Sequence, residues 1–295
     1  MKKALLYSIF ALGIASTTLT SCEDIFGGFL DKQPSNELTG EQVFSDWNLT
    51  VQFHLDTYNF LRHGAGRIST TWLDAATDLA ETSYGNGVRT SFNIGNFYGG
   101  SGASELVDTW EHYYRGIRKC NMLLTRIEEV PQNPAVSEDK YNRDKKNYIA
   151  EARFLRAYFY WELFLRYGPI PIVKEVLDPN GDLMSKYTTR PTTKEYVVDF
   201  ILEELKSCEG NLLDYETAWK SSSAGRIGQP MACALRSRIM LFMASPRYSS
   251  ESGITWQQAA DVAKEFIDTY GANFALFNAK DATGATLGIE NYTNA

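Results

Sequence analysis

Apolar residues recur at steps of three and four along most of this chain, the spacing of one face of an α-helix. From Glu105 onward, Leu106, Trp110, Tyr113, Ile117, Cys120, Leu124 and Ile127 form one continuous stripe. Val130-Pro131 closes it, because a residue before proline is driven out of the helical region. A second helix is predicted over 140–167. Phe154, Tyr158, Trp161 and Leu165 mark one face, and Leu155, Phe159 and Leu163 add apolar surface on others, so this helix should pack on more than one side. Glu162 and Arg166 stand at ion-pair spacing on it. Gly168 supplies a C-terminal cap, and Pro169 and Pro171 leave 169–173 extended.

Thr192-Thr193-Lys194-Glu195 reads as a capping box opening a helix that carries Val197, Ile201, Leu205 and Cys208. After a Ser/Gly loop over 220–228, Pro230 sits in the first turn of a helix bearing Met231, Leu235, Ile239 and Phe242, stopped by Pro246. Thr255-Trp256-Gln257-Gln258 is a second capping box, with Trp256, Ala259, Ala263, Phe266 and Tyr270 on one face and Gly271 at the end. Nearer the start, a helix beginning at 39–41 carries Val43, Phe44, Trp47, Val51, Leu55 and Tyr58 and ends near His63-Gly64. Residues 68–81 read as partly helical, and 84–102 as loop or short strand, punctuated by Gly85, Gly87, Gly95, Gly99, Gly100 and Gly102. The expected fold class is all-α, built from tetratricopeptide-like helix pairs of irregular spacing with irregular loops.

The first residues follow another pattern. Two lysines come after Met1, an apolar run covers 4–15, and small polar residues lead to Leu19-Thr20-Ser21-Cys22. The run is shorter than the roughly 20 apolar residues a spanning helix needs, and the arrangement is that of a removed secretory signal. The residues ending in cysteine fit a bacterial lipobox, so 1–21 is expected to be cleaved and Cys22 to become the lipidated first residue. Several acyl chains on one cysteine anchor firmly, since each buried CH₂ contributes about 0.8 kcal/mol. Residues 22–40, with Gly27-Gly28 and Pro34, read as a tether, and 41–295 as the helical domain.

Composition narrows the picture. The 295 residues carry a net charge of −7, which argues against nucleic acid as a partner. Past Cys22 only Cys120, Cys208 and Cys233 remain, each within a helical pattern, so buried free thiols are expected. Aromatic content of 13% is high; aromatic-rich chains are common among sugar binders, but aromatics also fill helical cores. His54, His63 and His112 show no metal spacing, and no zinc, phosphate-loop or nucleophile-elbow motif is present. No catalytic residue, cofactor or metal is therefore assigned.

Four stretches, in this order, resemble the SusD/RagB family of outer-membrane nutrient-binding lipoproteins. They are Ser21-Cys22 with Phe29-Leu30-Asp31-Lys32-Gln33-Pro34; Ala150-Glu151-Ala152-Arg153-Phe154-Leu155-Arg156-Ala157-Tyr158-Phe159-Tyr160 through Tyr167-Gly168-Pro169-Ile170-Pro171; Arg190-Pro191-Thr192-Thr193-Lys194-Glu195-Tyr196; and Gly225-Arg226 leading into 232–242. The resemblance implies a SusD-like helical fold and no catalysis. It also implies a surface protein that captures oligosaccharide or polysaccharide as a lid on a SusC-like, TonB-dependent outer-membrane transporter. Phe154, Tyr158 and Trp161 would then serve packing. Glu23 and Asp24 resemble the surface-export signal of Bacteroidetes lipoproteins, which implies a lipid-anchored, outward-facing protein in the outer membrane. Family members are typically longer, so the C-terminal part of the ligand face is expected to be missing here, leaving an apolar edge where the stack stops.

Glycan capture needs an aromatic face for the apolar side of a sugar and amides for its hydroxyls. Trp72, Tyr84, Asn86, Asn96, Phe97 and Tyr98 have that composition, in and beside the glycine-punctuated loop. The competing reading has Phe92 and Phe97 tucking the loop onto the core. Asp74, Asp78 and Glu81 fall at helical i, i+4 and i+7, which reads as a solvated acidic face, as do Glu128-Glu129 and Glu203-Glu204. Three alternatives stay open: a peptide ligand, a surface glycosidase using Asp74 and Asp78, and a pure assembly subunit of the transporter. Replacing Cys22 by alanine is expected to abolish incorporation of labelled palmitate and release the protein from membranes; retained label would contradict the anchor.

Overall fold

The computed structural model describes residues 39–62, 73–81, 92–96, 104–178, 180–221 and 223–274. Two compact units meet between Val43 and Phe44. The boundary falls within α1 (Gly40–Phe44), which opens on a reciprocal cap in which Thr39 N donates to Gln42 Oε1 (2.8 Å) and Gln42 N to Thr39 Oγ1 (3.3 Å). The second unit begins with α2 (Trp47–Asp56) and a 3₁₀ turn, Thr57–Phe60. The apolar spacing predicts one helix through 39–63, but Asp46 is extended and accepts from Leu49 N at 2.9 Å, so it caps a new helix instead.

The remaining helices are α3 (Ser104–Arg126), α4 (Glu138–Tyr167), α5 (Leu183–Lys186), α6 (Glu203–Glu209), α7 (Tyr215–Lys220), α8 (Gln229–Met243), α9 (Ser249–Ser252) and α10 (Trp256–Tyr270). A π-helical stretch, Lys194–Leu202, runs directly into α6. Its wide turn places Lys194 and Asp199, five apart, in a 2.8 Å ion pair. Both capping boxes form, with Thr192 N on Glu195 Oε2 at 2.7 Å and Thr255 N on Gln258 Oε1 at 2.8 Å. Among the described residues there is no strand, only an isolated bridge between Leu213 and Gly228. None of the described helices is long and apolar enough to cross a membrane.

Each long helix rests on the next: α3 on α4, α4 on α6, α6 on α8 and α8 on α10. This is the stacked, all-α arrangement that the sequence pattern predicts. The second half of α4 is the hub. Leu155, Ala157, Phe159, Tyr160 and Leu163 are fully buried on every side of it, while Leu165 is 38% exposed and Tyr158 half-buried. On α3 the buried stripe is Tyr113, Ile117, Cys120, Leu123 and Ile127, so Leu123 takes the place predicted for Leu124, and Trp110 stays 42% exposed. On α8 the inner face is Ala232, Cys233, Arg236, Ile239 and Met243, with Met231 and Phe242 turned outward. Small residues there let α6 approach, and a buried arginine occupies the centre of a face predicted to be apolar. On α10, Ala259 is buried but Trp256 and Ile267 are exposed, as is Leu241 on α8.

The proline segment after α4 has no sheet to satisfy its carbonyls, so side chains do it. Tyr160 OH donates to Val173 O (3.0 Å) and accepts from Val173 N (2.7 Å). Asn121 Nδ2 reaches Val173 O and Glu175 O, and Tyr114 OH reaches Pro171 O. Gly168 makes the turn into this segment at φ 68°, a region costly for side-chain-bearing residues. Cys120, Cys208 and Cys233 are buried free thiols, and burial pushes the first two up to about 12.

Gly116 lies on α3 where the helix meets α4. A Cβ there would stand 2.7 Å from Phe159 Cε2 and 3.2 Å from Phe60 Cβ. The Phe159 ring has no exposure and stacks on Tyr113 at 5.6 Å, so it has nowhere to go. Glycine inside a helix otherwise costs about 1 kcal/mol against alanine. Gly116→Ala is therefore expected to destabilise the protein by about 1–3 kcal/mol in denaturant unfolding; a gain in stability would contradict this packing.

Candidate functional site

Of the predicted ligand residues, Trp72, Tyr84, Asn86, Phe97 and Tyr98 lie outside the described residues, as does the lipidation site Cys22. Asn96 is described and exposed, just past a turn in which Gly95 N donates to Phe92 O (3.0 Å). Asn93 Nδ2 donates to Ala75 O at 3.3 Å and ties this turn to the short 3₁₀ element Leu73–Ala76. Asp74, Asp78 and Glu81 are exposed, but the helical register that would align them is not formed, because the 3₁₀ turn ends at Ala76. Of the pairs read as solvated, Glu128 and Glu129 are exposed, whereas Glu204 is drawn inward by Arg156, whose Nη2 meets its Oε2 at 2.6 Å.

Two basic side chains, His54 and Arg226, converge on Glu151, a carboxylate with no exposure on α4. His54 Nε2 of α2 donates to its Oε2 at 2.7 Å, the tautomer that an ionised acceptor requires. Arg226, in the loop before α8, sets Nη2 against Oε1 as an ion pair off the hydrogen-bond axis. The guanidinium lies over the Tyr148 ring at 4.7 Å and also donates to Asn147 Oδ1. Tyr58 OH accepts from Ile227 N at 3.2 Å, and burial, reinforced by the charge of Glu151, raises that phenol well above its ordinary value. The sequence singles out neither Glu151 nor Arg226 as functional, although both lie in the stretches that carry the family resemblance. The signal available was a carboxylate set among apolar neighbours on every side of its helix.

Glu209, Cys233 and Glu265 bring potential metal-ligating atoms within 4.8 Å of one another. The guanidinium of buried Arg236 meets all three, with Nη1 on Glu209 Oε2 at 3.0 Å, Nη2 on Glu265 Oε2 and Nη2 3.7 Å from Cys233 Sγ. Burial also raises the Cys233 thiol, away from the thiolate a metal would need. The group is an ion-pair clamp joining α6, α8 and α10, and its cation is arginine.

Two clefts flank α7. One, about 260 Å³, is almost wholly apolar, walled by Tyr215, Trp219, Met231, Phe266 and Phe274. Trp219 is 63% exposed and lies nearly parallel to Tyr215, at 13°. The other, about 770 Å³, is the more polar of the two, with polar and apolar lining in equal share, and lies between the amino-terminal half of α4 and the 210–214 turn. Its side chains include Asp139, Asn142, Arg143, Lys146 and Asn147 from α4 and Asn211, Asp214 and Gln229 from outside it. Sequence reasoning did not find this cleft, since polar residues on a solvated helix face carry no periodic signal.

A family model described as SusD-like, starch-binding and associating with the outer membrane, matches residues 28–241. That is most of the chain, and the chain belongs to this family. It is similar in structure to a SusD-like protein of Bacteroides fragilis, with 25% identity over 84% of this chain and 42% of that one, at a TM-score of 0.57. A second B. fragilis protein, described as SusD-like and carbohydrate-binding, shares 19% identity over 81% of this chain and 42% of its own, at 0.56. A laminarin-binding SusD-like protein shares 19% over 83% and 47%, at 0.53. The chain thus spans less than half the length of these relatives. No curated protein matches it in sequence.

Several carboxylates are held below their ordinary values. Lys119 does this to Asp56, Lys206 to Glu265, the Thr192 N–H to Glu195 and the Thr217 N–H to Asp214. A depressed native value adds stability that is complete above the unfolded value, 3.8 for aspartate and 4.5 for glutamate, and is lost as pH falls through the native value. The melting temperature is expected to hold from about pH 7 to about pH 5 and to fall steadily below about pH 4.5. A profile flat to about pH 3 would contradict these ion pairs and caps.

Proposed function

We propose that this chain is a surface-exposed lipoprotein that captures oligosaccharide for import with a SusC-like, TonB-dependent outer-membrane transporter. The observation that carries the reading is the match over residues 28–241 to a family described as starch-binding and associating with the outer membrane. The descriptions of two structural relatives, one carbohydrate-binding and one laminarin-binding, support it. The lipobox at Cys22 supports attachment by acyl chains rather than by a spanning helix. In this reading the protein binds and hands over its ligand without breaking a bond. Asp74 and Asp78 are exposed carboxylates in solvent, and Glu151 and Glu209 serve ion pairs.

Loops presented by a rigid helical stack suit such a role, because the scaffold bears the folding energy and leaves the loops free to vary. Native gels cast with soluble starch, laminarin or xylan test the reading. The detergent-solubilised protein purified from membranes is expected to be retarded by at least one polysaccharide and to bring a β-barrel transporter with it on affinity purification. Unchanged mobility across the panel would contradict capture, and purification without a barrel would contradict the partnership.

A further inference from the structure

We propose that the polar cleft between α4 and the 210–214 turn is a carbohydrate-binding site, separate from residues 72–98, that takes a neutral oligosaccharide. This rests on the glycan reading above and gives it a place and a ligand class.

One wall is a single face of α4. Asp139, Asn142, Arg143 and Lys146 stand at i, i+3, i+4 and i+7. The side chains of these four make no hydrogen bond or ion pair with another described residue. In the same turns, Lys140 pairs with Asp144 and Lys145 with Glu128 (2.8 Å).

The opposite wall is fixed before any ligand arrives. Asn147 Nδ2 donates to Asn211 O at 3.2 Å, and Gln229 Nε2 to Leu212 O at 3.1 Å. Gln229 N donates to Leu213 O at 2.8 Å, and Asp214 Oδ1 accepts from Thr217 N at 2.9 Å. A wall already ordered costs little to order on binding.

Size and charge then choose the ligand. The volume of about 770 Å³ falls within the range of small-molecule sites and holds more than one sugar ring. Two cations, Arg143 and Lys146, are balanced by two carboxylates, Asp139 and Asp214. An anionic ligand would meet both carboxylates and a cationic one both bases. A sugar hydroxyl donates and accepts at once, so a neutral polyol can use both sets.

Isothermal titration of the full detergent-solubilised protein with maltoheptaose and laminarihexaose tests this. The double variant Arg143→Ala/Lys146→Ala is expected to weaken binding at least about tenfold at an unchanged melting temperature. Lys145→Ala, which lies outside the cleft, should leave affinity as it is. Unchanged affinity in the double variant overturns the cleft as the site while glycan capture stands. If the unaltered protein binds neither probe, the inference falls, while retardation by any polysaccharide in the native gels leaves the glycan reading standing. Tighter binding of an oligogalacturonate than of either neutral probe overturns the neutral class.

Discussion

A carboxylate with no access to water holds three distant parts of this chain together. Glu151 takes a hydrogen bond from His54 on α2 and an ion pair from Arg226 ahead of α8, and it is itself carried by α4. An ion in such a place is tolerable only while its partners remain, and removing one partner of a buried pair costs about 3–5 kcal/mol. The constraint reaches further than the pair. Arg226 also holds Asn147, and Asn147 holds the carbonyl of Asn211. The turn that walls the polar cleft is therefore tied, bond by bond, to the buried charge.

The rest of the scaffold follows a similar logic, in which polar groups inside the stack do what a sheet would do elsewhere. Asn121 is fully buried, yet it accepts from Arg156 and donates to two carbonyls of the proline segment. Arg156 is held in turn by Glu204. Arg236 does the same for α6, α8 and α10. Apolar packing supplies most of the driving force, but it is non-directional. These arginines have a fixed fork of donors and so specify which helices meet and in what register.

Much of this was legible in the sequence, and for physical reasons. Helix periodicity, the Thr192 and Thr255 capping boxes, the Gly168 stop and the free thiols all depend on residues close together in the chain. The misreadings had both long-range and local causes. Met231 and Phe242 fit an apolar stripe, but Arg236 and small neighbours took the inner face of α8. The π-turn at Lys194–Leu202 shifts register in a way no hydrophobic pattern announces. Asp46 splits a helix because its side chain caps better than its backbone continues. For the candidate site, the sequence pointed to residues of which only Asn96 is described. The polar cleft draws its walls from residues about 70 positions apart in the numbering, and their convergence exists only in the fold.

If the walls of the cleft are set before a glycan binds, ordering on binding stays local to them. Hydrogen–deuterium exchange of the full protein is expected to slow at the amides of residues 210–217 when an oligosaccharide is added, with the exchange of α6 and α8 unchanged. Unaltered exchange over 210–217, or slowing spread through the helical core, would contradict it.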